Sequence, residues 1–322
     1  MKAVRVHSPG GPEVLRHEDL PDPQPQAGQA VVRVDAAGVN FIDVYHREGL
    51  YKAAMPLTLG QEGAGAVLAV APDVADLAPG DRVAWAGGFG GYAEKAAVAA
   101  DRLVKIPDGV TNRQAAAAML QGMTAHYLAC ATYPLKTGDT CLIHAGAGGV
   151  GLLLTQIARM RGARVLTTVS TPEKALLSRE AGAEEAIDYG RQDFEAEAKR
   201  VTGGRGVEVV YDSVGRTTFD KSLASLAPRG MMVLFGQSSG PVGSFDPQVL
   251  AQRGSLYLTR PSLFAYIASR RELLERAGDV LGWVRNGRLK LRIEHEFPLA
   301  RAADAHRALE GRKTAGKVLL VP

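Results

Sequence analysis

"TCLIHAGAGGVGLLLTQIARMRGARVLTTV" (140–169) holds a complete supersecondary unit. "TCLIHA" (140–145) reads as a strand, "VGLLLTQIARMRG" (150–162) as a helix and "ARVLTTV" (163–169) as a second strand. Glycines crowd the first junction, at 146, 148, 149 and 151. Gly146, Gly148 and Gly151 make G-x-G-x-x-G, which in a strand–turn–helix–strand context marks a dinucleotide site. Gly146 is expected to allow the tight turn. Gly148 lets the backbone approach a pyrophosphate, and Gly151 lets the helix pack closely on the strand. Gly149 and Val150 follow from the same phosphate turn, and the helix N-terminus offers free N–H groups and a partial positive charge that suit phosphates.

Outward from this unit, alternation continues. "TPEKALLSREAG" (171–182) is helical with Pro172 in its first turn, "EEAIDY" (184–189) is a short strand and "QDFEAEAKRVTGG" (192–204) is helical. "VEVVYDSVG" (207–215), "MMVLFGQSSG" (231–240) and "SLYLTR" (255–260) are further strands. Such alternation is the sign of a doubly wound parallel sheet. Upstream the character is different. "KAVRVH" (2–7), "QAVVRVDAAGV" (29–39), "GAGAVLAVA" (63–71) and "DRVAWAG" (81–87) are β-rich runs between Pro/Gly turns, which predicts a barrel-like β domain. The Ala-rich helix "TNRQAAAAMLQGMTAHYLACATYPL" (111–135), with Thr111 as N-cap, separates the two. Residues 270–322 return to helix and strand.

The tip of the second strand selects the dinucleotide. An NAD site usually places Asp or Glu there to bind the ribose 2′-OH. "LTTVSTPEK" (166–174) has no acid at the tip, and Glu173 falls inside the following helix. Ser170 offers a hydroxyl and Lys174 a cation that neutralises a 2′-phosphate. The reading is NADPH.

Bulk properties exclude other classes. The 322 residues carry a net charge of +4 with Lys and Arg scattered, so there is no basic stripe for nucleic acid. No apolar run approaches the ~20 residues of a membrane span, and the N-terminus has no signal-peptide core, so a cytoplasmic protein is expected. Cys130 and Cys141 stand apart in apolar contexts as buried thiols.

The runs "GVNFIDVYHREGLY" (38–51), "LGQEGAGAV" (59–67), "GDRVAWAG" (80–87), "GGYAEKAAV" (90–98), "LQGMTAHYL" (120–128) and "HAGAGGVG" (144–151) resemble, in order, the medium-chain dehydrogenase/reductase superfamily. "VVYDSVG" (209–215), "GSLYLTRPSL" (254–263) and "TAGKVLLVP" (314–322) resemble its quinone oxidoreductase branch, the ζ-crystallin-like enzymes. The resemblance spans the whole chain. It implies an α/β protein with a GroES-like β-barrel catalytic domain (1–120, completed by 261–322) and a Rossmann domain (121–260), with the active site in the cleft between them.

The zinc alcohol dehydrogenases of that superfamily have a Cys where Asn40 stands and a His where Gln61 stands, followed by a Cys-rich lobe. Amides are poor zinc ligands, Glu62 alone cannot hold zinc, and the seven histidines have no site-like spacing. A zinc-free member is therefore expected. Without a Lewis acid, alcohol oxidation is hard, whereas a quinone or activated alkene is already electrophilic. The resemblance implies NADPH-dependent quinone reduction. Reduction of α,β-unsaturated carbonyls and a non-catalytic, crystallin-like cofactor binder are the alternatives.

By the same resemblance, "NFID" (40–43) lies at the nicotinamide end. Asn40 and Asp43 either contact cofactor or order the loop, and Asn40, Tyr45 and Tyr51 are the candidate catalytic residues. The phenols offer a flat face and an O–H to a quinone. Thr124 looks like a cofactor-contacting threonine and Tyr189 like a tyrosine beside the adenosine phosphate. Ser213, Phe235, Gly236 and Ser238 lie at carboxyl ends of strands, where such sheets bind ligands. Arg260 and Arg312 occupy matching positions. "GSLYLTR" (254–260) reads as an apolar edge strand that invites a homodimer.

Overall fold

The computed structural model describes residues Met1–Pro322. The chain divides into two compact units, one made of Met1–Met123 with Ile267–Pro322, the other of Thr124–Tyr266.

The first unit opens with β1 (Lys2–Val6), β2 (Leu15–Asp19) and the long β3 (Gln29–Val39). Helix α1 (Phe41–Arg47) follows directly, then β4 (Leu57–Thr58), β5 (Glu62–Val70), β6 (Arg82–Ala86), β7 (Lys95–Ala99) and β8 (Val104–Lys105). Helix α2 (Asn112–Tyr127) begins after Thr111, whose hydroxyl accepts the Gln114 N–H at 3.2 Å. It widens at its far end into a π-helical turn, Leu128–Thr132.

The second unit alternates: β9 (Thr140–Ile143), α3 (Gly149–Met160), β10 (Arg164–Val169), α4 (Pro172–Glu180), β11 (Glu185–Asp188), α5 (Phe194–Val201), β12 (Val207–Asp212), α6 (Phe219–Ala224), β13 (Leu226–Leu234), α7 (Gln248–Gln252), β14 (Tyr257–Thr259) and α8 (Leu263–Tyr266). The first unit is then completed by α9 (Arg270–Arg285), β15 (Ile293–Pro298), α10 (Ala302–Glu310) and β16 (Lys317–Val321).

In the second unit all pairs are parallel, in the order β11-β10-β9-β12-β13-β14. This is the doubly wound Rossmann order, and its switch point lies between β9 and β12. Leu142, Leu166, Val210 and Met232 from the sheet pack with Phe194 and Phe219 from the helices. "MMVLFGQSSG" departs from its expected range. The strand starts earlier, at Leu226, and stops at Leu234, because Phe235 and Gly236 turn back to donate to the Asp212 carbonyl.

In the first unit the main sheet runs β15-β16-β3-β5-β6-β8, with β7 also on β3, and a smaller sheet runs β2-β1-β4. Val32, Leu59, Trp85, Leu103 and Leu320 fill its core. β16 lies antiparallel on β3, with Val318 opposite Val39. The chain's last strand is thus built into the sheet that carries the first candidate site. No helix of either unit is long and apolar enough to cross a membrane.

Candidate active site

In the second unit, β9 ends at Ile143, the buried His144 follows, and the glycine turn leads into α3 with Gly148 as N-cap. The left-handed residue of the turn is Ala145 (φ +54), and none of the four glycines has positive φ. This corrects the tight-turn role expected of Gly146, which is glycine for space. A Cβ there would stand 2.5 Å from Thr167 Cβ and 2.8 Å from Ser178 Oγ. Gly151 matches its packing role, since a Cβ would run into the Ala145 carbonyl oxygen. At Gly148 a Cβ would meet little besides that oxygen at 3.1 Å, which leaves the α3 N-terminus open to a ligand.

His144 is fixed by its neighbours. Ser222 Oγ donates to the Asp212 carboxylate at 3.0 Å and therefore accepts from His144 Nε2–H at 2.9 Å. His144 Nδ1 then accepts from Thr168 Oγ1 at 2.9 Å. Burial lowers its pKa and favours this neutral form. Asp212 also accepts the N–H groups of Val214 and Gly215, at 2.7 and 2.9 Å, which shapes the loop carrying Ser213. Phe235, Gly236 and Ser238 are tied to that loop: Ser238 N–H donates to the Ser213 carbonyl at 3.1 Å, and a Cβ on Gly236 would meet that same oxygen at 2.6 Å.

At the adenosine end, Thr171 caps α4 and accepts the Lys174 N–H at 3.3 Å. Ser170 and Lys174 are half-buried. The Glu173 carboxyl is held below the usual range by its own backbone N–H and by the Thr171 hydroxyl, so it serves the cap. Tyr189 N–H donates to the Val169 carbonyl, which sets the exposed Tyr189 ring beside the β10 tip. Thr124 is buried on α2. Arg260 is exposed after β14, and Arg312 is exposed with φ +56 after α10.

In the first unit α1 carries an aromatic group. Tyr45 meets Tyr51 edge-on with centroids 5.3 Å apart, and Phe41 lies 6.2 Å from Tyr45. His46 packs edge-on against Tyr51 and Phe89, at 5.6 and 4.8 Å. Phe41, His46 and Phe89 escaped the sequence reading, because nothing in their spacing ties them to Tyr51.

Beneath this group runs a buried polar network. Asn40 Nδ2 donates to Glu62 Oε1 at 2.7 Å, and Asn40 Oδ1 accepts from Lys317 Nζ at 3.0 Å and Gln121 Nε2 at 3.1 Å. Lys317 Nζ is also in contact with Glu62 Oε1, and Leu120 N–H donates to Glu62 Oε2 at 2.7 Å. Asn40 therefore spends its amide inside the protein. Asp43 is fully buried. It accepts the Asn40 N–H at 2.9 Å and the Tyr92 O–H at 3.3 Å, and burial pushes its pKa up to about 6. Of its two expected roles the geometry supports loop ordering, because a carboxylate with no exposed surface cannot reach a cofactor.

Behind Asp43 the donors line up. Arg47 Nη1 donates to His306 Nδ1 at 3.1 Å, so the neutral His306 carries its hydrogen on Nε2 and donates to Tyr92 Oη at 3.1 Å. Arg47 is paired through two bonds, of 2.7 and 2.9 Å, to Glu310. Burial and the Arg47 charge hold the His306 pKa down to about 3. Lys317, Gln121, Tyr92 and His306 were not singled out in the sequence. The one available signal was a lysine inside the otherwise apolar "GKVLLVP" (316–322).

The donor set around Asn40 is unsuited to zinc. Asn40 and Gln61 are amides, and the Glu62 carboxylate is held by an ammonium that would repel a dication. No group of three His, Cys, Asp or Glu side chains is placed to hold a metal ion.

Residues 26–108 match the family described as alcohol dehydrogenase GroES-like domain, and residues 149–277 match zinc-binding dehydrogenase. The chain is 45% identical over its full length to a quinone oxidoreductase of Pseudomonas aeruginosa, covering 99% of that relative. It superposes on the Escherichia coli quinone oxidoreductase solved with NADPH with a TM-score of 0.98 at 41% identity, covering all of both chains. A mycobacterial protein solved with NADPH gives a TM-score of 0.97 at 49% identity, again over both chains. A GroES-like unit joined to a Rossmann unit defines the medium-chain dehydrogenase/reductase class. Within it, this chain belongs to the quinone oxidoreductase family.

Proposed function

We propose that the chain is an NADPH-dependent quinone reductase that works without zinc. The observation that carries this reading is the site's chemistry under a full-length match to quinone oxidoreductases: an aromatic wall on α1 above a polar network with no zinc-type ligand set. NADPH, when bound, supplies a hydride. The protein's task is to bind, orient and exclude water. Gly146, Gly148, Gly149, Val150 and Gly151 and the α3 N-terminus suit the pyrophosphate, and Ser170, Lys174 and Tyr189 suit the 2′-phosphate end. Thr124, Ser213, Phe235, Gly236, Ser238, Arg260 and Arg312 are the further proposed cofactor contacts. Tyr45 and Tyr51 offer a flat apolar face to the acceptor ring and O–H groups to its carbonyl oxygens. Asn40 acts by holding α1, since its amide is engaged by Glu62, Lys317 and Gln121.

The test is steady-state NADPH oxidation against quinone and enal panels, with enzyme as purified and after exhaustive chelation. Quinone turnover is expected to exceed enal turnover and to survive chelation unchanged. Loss of activity on chelation, restored by zinc, would sink the zinc-independent reading. Preference for enals would sink the substrate assignment.

We further propose a homodimer formed along β14. It is the terminal strand of its sheet, and Tyr257 on it is 59% exposed. An unpaired apolar edge gains by pairing with its own copy about a two-fold axis. Sedimentation equilibrium at micromolar concentration is expected to give twice the chain mass; a monomer there contradicts the proposal. The cytoplasm is the proposed location, and recovery of the quinone activity from a periplasmic fraction would overturn it.

A further inference from the structure

Tyr51 lies just beyond the end of α1, where the chain has turned back on the helix. Glu48 N–H donates to the Val44 carbonyl at 2.9 Å and Gly49 N–H to the His46 carbonyl at 3.1 Å, with Gly49 at φ +78. The reversal brings Tyr51 N–H onto the Tyr45 carbonyl at 3.0 Å. The Tyr51 carbonyl in turn meets His46 Nδ1 at 3.1 Å. The backbone of Tyr51 is thus tied at its N–H and at its C=O to two adjacent residues of the last turn of α1. Its ring stands edge-on to the rings of the same two residues, at 5.3 Å from Tyr45 and 5.6 Å from His46.

The partner fixes the His46 tautomer. A carbonyl oxygen only accepts, so Nδ1 carries the hydrogen, and in the neutral ring Nε2 is bare. Burial pulls the His46 pKa down and favours that neutral form, while the bond to Tyr51 opposes the pull. Phe89, in the loop after β6, packs edge-on against the imidazole at 4.8 Å and steadies it. His46 itself is buried, whereas Tyr51 is half-buried and so keeps surface for a ligand. A ring that is already fixed spares the binding step the cost of ordering it.

We propose that His46 is a positioning residue for the acceptor: its Nδ1–H holds the Tyr51 backbone so that the Tyr51 ring stands ready beside Tyr45. The inference rests on the reading of Tyr51 as part of the quinone-binding face.

The test is steady-state kinetics with NADPH and 1,4-naphthoquinone on wild-type protein, His46→Phe, His46→Asn, Tyr51→Ala and the double variant His46→Phe/Tyr51→Ala. Phe keeps an aromatic ring beside Tyr51 and Phe89 but has no donor. Asn gives up the ring but carries its N–H2 as many bonds from Cβ as Nδ1. His46→Phe is expected to raise the quinone KM about fivefold, the worth of one neutral hydrogen bond, with kcat and the NADPH KM unchanged. His46→Asn, which restores the donor, should stay within about twofold of wild type. In the Tyr51→Ala background His46→Phe should add nothing, because its effect runs through Tyr51. Should His46→Phe not fold, His46→Leu, equally without a donor, takes its place. A packing role alone would spare Phe and harm Asn, and that result overturns the proposal. So does an additive double variant. Failure of the underlying reading looks different: Tyr51→Ala itself would leave the quinone KM unchanged.

Discussion

Lys317→Met is expected to cost about 3–5 kcal/mol of stability, the usual penalty for leaving a buried charge without its partner. Glu62 is wholly buried and Lys317 is 3% exposed. Burial pulls the Lys317 ammonium below its ordinary pKa, and the Asp43 charge opposes that pull. Removing the ammonium strands the Glu62 carboxylate among Asn40 Nδ2–H and Leu120 N–H, which do not neutralise it. The double variant Lys317→Met/Glu62→Gln removes both charges and keeps an oxygen for those two donors, so it should recover about half of the loss or more. Both tryptophans, Trp85 and Trp283, lie in the same unit as the pair, so their fluorescence through a urea titration reports that unit. A single-variant cost below about 1 kcal/mol, or strict additivity of the two substitutions, would show that the groups do not act as a pair.

The second large effect is expected at the β10 tip. Lys174→Ala should weaken NADPH binding roughly ten- to a hundred-fold, as expected for losing one charge-assisted contact of about 1.5–3 kcal/mol, and leave NADH binding nearly unchanged. Ser170→Asp should go further, by repelling the 2′-phosphate while offering an acceptor to a ribose hydroxyl. The structure strengthens this expectation, because Glu173, the only acid close by in sequence, is engaged at the α4 cap through Thr171 and its own backbone. Titration of both cofactors into both variants decides the matter. Equal losses for the two cofactors, or wild-type preference for NADH, would refute the assignment of these two side chains.

What could be read in advance follows the range of the interactions. The βαβ unit around 140–169 was legible because strand and helix periodicities and a glycine turn are local signals. The left-handed Ala145 was not, since alanine gives no hint of φ +54 and the turn is imposed by strand and helix on either side. The Glu62–Lys317 contact joins residues 255 positions apart, and no pattern in either segment names the other. Asn40 and Asp43 were found by position in "NFID", yet their work proved internal: the one braces Gln121 and Glu62, and the other takes the Asn40 N–H and the Tyr92 hydroxyl. Position in the sequence pointed to these two residues without telling support from contact.

The placement of β16 on β3 also bears on synthesis at the ribosome. Thr124–Tyr266 is one uninterrupted stretch whose sheet needs nothing made later, so it can close while translation continues. The segment that precedes it emerges sooner but has to wait. Until Lys317 is made, Glu62 has no counter-charge, and β3 lacks one of its neighbours. The earliest part of the polypeptide to appear is therefore among the last to mature, and during that interval β3 keeps an open strand edge.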